Sequence, residues 1–516
     1  MAPLAKRETT IRYTFGVLLL LGLLSGCATS LPSHDLPPSY TLEVREDNAI
    51  AQYVRSRQPT ASSSGFVLLQ SGADALAARL QLIEGAQQSL DLQYYIYNQD
   101  RTGALVAERL LQAADRGVRV RLLLDDLGNQ LDGDRLAALD RHANIEVRLF
   151  NPLTLRQRWL RNLSKVSEFG RINHRMHNKL MVADGQMFIT GGRNIGDEYY
   201  ALSDVNFRDL DILGIGAVVP QVSTSFDEYW NSRKSLPVSM LERRVGRTRL
   251  QAMRARLARV TSSFDEAAYR QRIERSSFRR FLRTESIYWQ WGLAEWIYDP
   301  PAKADPFDEL NAVPLVGRNL VRHASDADGE LLAITAYFIP GEAGQDFLLR
   351  LVENGVSVKV LTNSLATTDV IAVHSGYAPY REALVAGGVR IWELKPPSDR
   401  RRDGQPFFNE STASLHAKAF VFDRKRVFVG SINLDPRSIS LNTESGVLVY
   451  QKELAEQTAA LFDLWASDDT AYQLVLRDGS LRWLGDGQVW DREPRAGAWR
   501  RLGAWFFRIL PIESQL

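Results

Sequence analysis

The chain has 516 residues, of which 45% are apolar and 24% charged, with a formal net charge of +2. That length holds about two to four domains, and the balance excludes both a disordered chain and a protein that binds nucleic acid through overall basicity. The one cysteine, Cys27, excludes any internal disulfide.

At the N-terminus, Lys6, Arg7 and Arg12 precede an apolar run of ten residues from Phe15 to Leu24, too short to span a bilayer as a helix. The layout is that of a secretory signal peptide. Its end, Leu24-Ser25-Gly26-Cys27, resembles a bacterial lipoprotein cleavage box. That resemblance implies a lipoprotein signal peptide over residues 1–27, ending at Cys27, with cleavage before Cys27 and lipid attachment at this residue. Ala28 rather than an aspartate follows, a pattern similar to outer-membrane sorting. The expected location is the bacterial cell envelope, facing the periplasm and lipid-anchored, with the outer membrane favoured over the inner.

Residues 28–65 are rich in proline and serine and read as a flexible tether with one short helix near Asp47–Arg57. From residue 66 the pattern becomes α/β. Apolar spacing predicts a helix over Asp74–Ala86, with Asp74 as its N-cap, and another over Gly103–Asp115. Alternating and apolar runs predict strands at Ser89–Tyr97, Arg119–Asp125 and Glu146–Phe150, with a helix at Asp132–Asp140. A hairpin of Lys179–Val182 and Gln186–Thr190 closes this half, residues 66–240. The order then repeats over residues 326–470: strand Gly329–Tyr337, helix Gly344–Glu353, strand Ser357–Thr362, helix Ser375–Ala386, strand Val389–Glu393 and hairpin Ala419–Val429. The turns Arg116-Gly117-Val118 and Asn354-Gly355-Val356 lie 238 residues apart, so whole domains are duplicated. Between the halves, residues 241–325 read as a basic helical insertion and linker, arginine-rich over Leu241–Arg283. Residues 471–516 read as an amphipathic tail, either an interfacial or a docked helix.

The duplication carries a motif. His177-Asn178-Lys179 is followed by Asp184 and by Gly191-Gly192-Arg193-Asn194; His416-Ala417-Lys418 is followed by Asp423 and by Gly430-Ser431-Ile432-Asn433. Both copies read His-x-Lys-x4-Asp-x6-Gly-[Gly/Ser]-x-Asn. Residues two apart on an extended segment share a face, so each copy points an imidazole and an ammonium at one place. Two halves face to face would surround one cavity with two imidazoles, two ammoniums and the amides of Asn194 and Asn433. That set suits a phosphodiester: cations and donors for its oxygens, one histidine to attack phosphorus, the other to move protons. Matching segments after each motif, Phe207-Arg208-Asp209 and Asn442-Thr443-Glu444, offer Asp209 and Glu444 as carboxylates that orient the histidines. Asp184 and Asp423 fall at the hairpin turns, where turn capping is the expected role. Lysine is a poor metal ligand and no zinc-like cluster accompanies the motif, so neither a metal nor a cofactor is expected.

The duplicated motif resembles the phospholipase D superfamily over nearly everything from residue 66 to 470. The resemblance implies an α/β fold of two pseudosymmetric halves, each a mixed β-sheet flanked by helices, with the active site at their interface. It implies covalent phosphohistidine catalysis, with His177, Lys179, Asp184, His416, Lys418 and Asp423 as the catalytic set and His177 as nucleophile. Asn194, Asn433 and Ser431 would bind or support the phosphate. The stretches Gln93–Tyr97, Gly191–Tyr199 and Gly430–Ser438 resemble bacterial cardiolipin synthases; Tyr337–Gly341, Thr362–Val370 and His374–Arg381 resemble their C-type subgroup. The expected activity is phosphatidyl transfer between phospholipids, with phosphatidylglycerol and phosphatidylethanolamine as substrates, at a membrane and without nucleic acid. Hydrolysis by water, a nuclease and a non-catalytic binder are the alternatives, and nothing in the sequence speaks to a protein partner. Tyr337 and His374 fit either a lipid pocket or the core.

Overall fold

The computed structural model describes residues 36–154, 169–203, 205–242, 246–262, 287–305, 313–396, 412–510 and 513–516. Cys27 and the arginines beyond residue 262 in the basic insertion lie outside them.

The first half contributes strands β1 (Ser64–Leu69), β2 (Ser89–Tyr94), β3 (Arg119–Asp125), β4 (Ile145–Phe150), β5 (Leu180–Ala183), β6 (Met187–Gly191), β7 (Asn206–Arg208), β8 (Asp211–Gly216) and β9 (Ser235–Pro237). The second contributes β10 (Gln290–Tyr298), β11 (Glu330–Thr335), β12 (Ser357–Asn363), β13 (Arg390–Leu394), β14 (Thr412–Leu415), β15 (Lys418–Phe422), β16 (Arg426–Gly430), β17 (Ser445–Tyr450), β18 (Ala471–Arg477), β19 (Ser480–Gly485) and β20 (Gln488–Trp490). In each half the central strands are parallel (β2, β3, β4 and β11, β12, β13), as the βαβ pattern requires. The motif hairpins pair antiparallel beside them, β5 with β2 and β15 with β11. The two sheets join where β1 meets β10, at Ser64↔Gly292, Gly65↔Trp291 and Phe66↔Gln290, and so form one 18-stranded sheet.

Strand alternation explains how the halves become one body. In β5, Met181 and Ala183 face the core of the first half, while Leu180 and Val182 face a core shared with the second. In β15, Phe420 and Phe422 face the second half's own core, and Ala419 and Val421 the shared one. Helices Val219–Trp230 and Lys452–Trp465 complete this central core from matching positions.

Several expectations need correction. The helix expected from Asp74 begins at Gly72, because Ser71 supplies the cap by accepting from the Asp74 amide at 3.0 Å. The helix expected over Ser375–Ala386 is broken into Ile371–Tyr377 and Arg381–Ala386 by a 3₁₀ turn at Pro379, which has no amide hydrogen to continue the first ladder. The tether expected over 28–65 is packed from residue 36 onward. Asn231 binds Ser39, Asp227 accepts from the Thr41 amide at 2.8 Å, and helix Ala49–Arg57 stands where it was expected. The linker expected over 241–325 contains β10, a sheet strand paired along both edges. The tail expected over 471–516 begins with β18–β20, a meander that extends the sheet past β13, before helix Ala498–Ile509. The described part of the basic insertion, helix Arg247–Ser262, packs on helix Arg101–Asp115, with Arg254 on Asp115 at 2.7 Å.

Candidate active site

Each motif histidine sits one step before its hairpin, on extended backbone held by the opposite half. The His177 amide donates to the Thr443 carbonyl at 2.9 Å, and the His416 amide to the Arg208 carbonyl at 2.7 Å. Strands β7 and β14 pair in parallel across the same seam. The residue ahead of each histidine is clamped from the end of a central strand. Asp125, ending β3, accepts from the Met176 amide at 3.1 Å and holds the Arg175 guanidinium at 2.8 Å. Asn363, ending β12, accepts from the Leu415 amide and donates to its carbonyl, both at 2.8 Å.

The orienting carboxylates are exchanged. Nδ1 of His177 lies 3.0 Å from both oxygens of Glu444, in the second half. Nδ1 of His416 lies 2.7 Å from Asp209, in the first. A carboxylate at Nδ1 fixes the tautomer and leaves Nε2 free for chemistry. Lys179 and Lys418 each donate to the carbonyl of their own histidine, Lys179 at 2.6 Å. Aromatic rings fix the imidazole planes: Tyr95 is edge-on to His177 at 5.1 Å, and Tyr199 and Phe207 flank His416 at 5.2 and 5.1 Å.

The motif glycines have a steric reason. A Cβ on Gly192 would stand 1.9 Å from an Asp209 oxygen, so the carboxylate reaches His416 only past a glycine. Its counterpart Ser431 has a side chain that donates to Glu444 and accepts from the Ser445 amide at 3.0 Å. Behind Glu444 lies a strut that the sequence did not reveal. Asp299 accepts from the Glu444 amide at 3.0 Å and is ion-paired with Lys303 at 2.7 Å. Lys303 is therefore buried, not the solvated loop lysine its proline-rich surroundings suggest.

Burial and charge set the protonation states. His177 is pushed well below its ordinary value by burial and then by Lys179, Lys418 and Arg437. His416 is pushed down to about 4, by burial first and Lys418 next, with Asp209 opposing. Burial also lowers Lys179 to about 7 and Lys418 to about 8. Both lysines act on both histidines, which puts all four groups in one electrostatic cluster. The carboxylates diverge. Burial raises Glu444 to about 7, whereas Asp209, although equally buried, is held below its usual range by His416.

The remaining expected residues separate. Asn194 is buried, accepting from the Ile96 amide at 3.0 Å and donating to the Tyr199 hydroxyl at 2.9 Å. It thus supports a ring that packs on His416 rather than reaching out to a phosphate. Asn433 keeps its carboxamide oxygen buried without a partner. Asp184 accepts from the amides of Gln87, Gln88 and Ser89 and from Asn48 at 2.7 Å, and Asp423 from those of Asp328, Gly329 and Glu330. Both stand in left-handed turn conformations, with φ of 52° and 54°. They pin the hairpin turns to the starts of β2 and β11, away from the imidazoles. His374 is a core residue, paired with Glu493 at 3.0 Å, and the Tyr337 hydroxyl donates to Asp369 at 2.8 Å. No group of three or more metal-ligating side chains occurs among the described residues.

Comparison with known proteins agrees with this geometry. The family described as "Cardiolipin synthase, PLD-like domain" matches residues 80–230 and 320–465, one match per half. Cardiolipin synthase C of Escherichia coli (strain K12) is 38% identical over 461 residues, covering 87% of this chain and 95% of the relative. Cardiolipin synthase A of Pseudomonas syringae pv. syringae is 26% identical over 409 residues, covering 78% of this chain and 68% of the relative. Among solved structures, the phosphatidylserine synthase of Haemophilus influenzae Rd KW20 shares the fold at a TM-score of 0.56 and 13% identity, over 90% of this chain and all of that one. With a duplicated motif, a doubled sheet and one family match in each half, the chain belongs to the phospholipase D superfamily, within its cardiolipin synthase-type family of PLD-like domains.

Proposed function

We propose that the protein is a membrane-anchored phosphatidyltransferase of cardiolipin synthase type, moving a phosphatidyl group between phospholipids through a phosphohistidine. The observation that carries this reading is the pair of imidazoles, each with a carboxylate supplied by the other half, in one cluster with two ammoniums. The names of the relatives supply the phospholipid class, and within it phosphatidylglycerol and phosphatidylethanolamine are the proposed substrate pair, with phosphatidylglycerol carrying the acceptor hydroxyl.

His177 is the nucleophile. Burial and the charges of Lys179 and Lys418 keep it neutral, and Glu444 beside it, raised to about 7 by burial, is readily protonated, so its Nε2 lone pair is free at neutral pH. That nitrogen attacks phosphorus and the bond to the leaving alcohol breaks. His416 is held low by burial and Lys418, but the anionic Asp209 and the negative charge of a bound phosphodiester both favour its imidazolium, which gives its proton to the leaving oxygen. An acceptor hydroxyl then attacks the phosphohistidine, and His416 removes its proton. Lys179 and Lys418 stabilise the nonbridging oxygens. Lipid attachment at Cys27 would hold this site in the cell envelope facing the periplasm, with the outer membrane favoured.

The test is expression in a cardiolipin-deficient bacterial strain beside a His177→Ala control, with total lipids resolved by mass spectrometry. Cardiolipin in the first strain alone is the expected result. Phosphatidic acid and free headgroup as the main products would replace transfer by hydrolysis, and no lipid product from folded protein in the membrane fraction would end the proposal.

A further inference from the structure

Helix Ala498–Ile509 is mounted with its apolar face outward. A surface helix ordinarily turns its bulky apolar residues to the core and its small or polar ones to water. Here Trp499 is 84% exposed, Trp505 and Ile509 62%, Phe506 53% and Leu502 52%. Their spacing puts them on one side of the helix. The opposite side carries Arg500, Gly503 and Ala504. This side packs on helix Ile371–Tyr377, with Gly503 beside Ile371.

The docking is specific, so the outward face is not an accident of a loose end. Arg500 donates to the carbonyls of Leu365 at 3.1 Å and Thr368 at 2.9 Å, and Arg501 to that of Glu493 at 2.9 Å. The loop gripped by Arg500 continues into Asp369, which takes the Tyr337 hydroxyl and whose charge acts on Lys418. The helix therefore sits at the rim of the catalytic cluster. No other segment among the described residues exposes so many large apolar side chains together.

The composition names the occupant. Two tryptophans suit the headgroup level of a bilayer, and the exposed Arg508, with no acidic residue in Ala498–Ile509, complements anionic headgroups. No described helix is long and apolar enough to cross a membrane, so contact at this face would be interfacial. We propose that helix Ala498–Ile509 lies in the surface of a phospholipid bilayer and sets the mouth of the active site at headgroup level. The inference rests on the phospholipid reading above, and goes beyond it by assigning the surface that presents the site to its substrate.

The test uses the full chain reconstituted in vesicles of phosphatidylethanolamine and phosphatidylglycerol with brominated acyl chains. Quenching of tryptophan fluorescence is compared between the natural chain and a Trp499→Phe, Trp505→Phe variant. Loss of most of the quenching in the variant is expected, whereas equal quenching in both would overturn the proposal. This readout needs no turnover, so it stands apart from any failure of the proposed activity. A second variant, Trp505→Asp, should lose roughly tenfold in rate on vesicles while keeping its rate on a short-chain phospholipid dissolved as monomer. An equal loss on both substrates would overturn it. Disulfide-linked dimers of a Trp505→Cys variant in vesicles, without bromolipid quenching at that face, would instead assign it to a second copy of the chain.

Discussion

The two halves share strand order, motif and hairpin, yet surround their histidines differently. The clamp ahead of His177 is an ion pair, Asp125 with Arg175; the clamp ahead of His416 is a neutral amide, Asn363. His177 is oriented by Glu444, which a serine and a buried ion pair support; His416 is oriented by Asp209, which reaches it past a glycine. Burial raises the first carboxylate, and its own histidine lowers the second. Duplication therefore built a symmetric cage, and a few side chains behind it made the two imidazoles unequal. A transfer in two steps needs that inequality, because one nitrogen must be a free base while the other carries a proton.

The largest effect should come from the histidines. His177→Ala should lower turnover by about 10⁴-fold or more and abolish any acid-labile phosphoenzyme, as expected for a nucleophile. His416→Ala should still form the phosphoenzyme from a substrate with a good leaving group. Rapid-quench trapping with labelled substrate reads both, and the reverse pattern would exchange the two roles. Lys179→Ala and Lys418→Ala should each cost on the order of 100–1,000-fold in kcat/KM. Asp209→Asn should cost on the order of 100-fold and Glu444→Gln about tenfold, since Asp209 works as an anion and Glu444 is readily neutral. Equal losses in steady-state rates would erase the distinction between the halves.

The pH profile sharpens the same comparison. Lys179 and Lys418 must be protonated to meet a phosphodiester, and burial lowers them to about 7 and about 8. Loss of their protons as pH rises should therefore pull kcat/KM down through that range. His177 imposes no acid limb near its ordinary value, because it is already neutral well below it. Initial rates across pH, at substrate concentrations below KM, test this. The smallest effect on chemistry should come from the motif aspartates. Asp184→Ala leaves several buried donors unpaired and should cost about 3 kcal/mol of stability by denaturant unfolding, while the folded fraction keeps its turnover. Asp423→Ala, at a more exposed turn, should cost less.

Much of the site was legible because it is duplicated. Aligning the halves brought Asp209 and Glu444 out of otherwise unremarkable segments, and the turn positions of Asp184 and Asp423 follow from spacing alone. The exchange of carboxylates between halves was not legible, since spacing along a chain does not say which half a side chain faces. The Asp299–Lys303 strut has no motif at all; it exists only because Glu444 is buried and needs its backbone held. Strand β10 was hidden for a related reason. It pairs along both edges at the seam, between β1 and β17, and its irregular burial gives no clean alternation. Asn194 had the right position but a different task, because Tyr199 consumes its amide.

The exchanged carboxylates also impose an order on the life of the chain. Synthesis runs from the N-terminus, so His177 emerges long before residue 444, and the first half exists for a time with its sheet edge at β1 and His177 without its carboxylate. Until the second half has been made and has folded against β1, there is no Glu444 for His177 and no His416 for Asp209. A nascent or truncated chain without the second half therefore lacks both pairings. Completion of the site thus waits on synthesis of the second half.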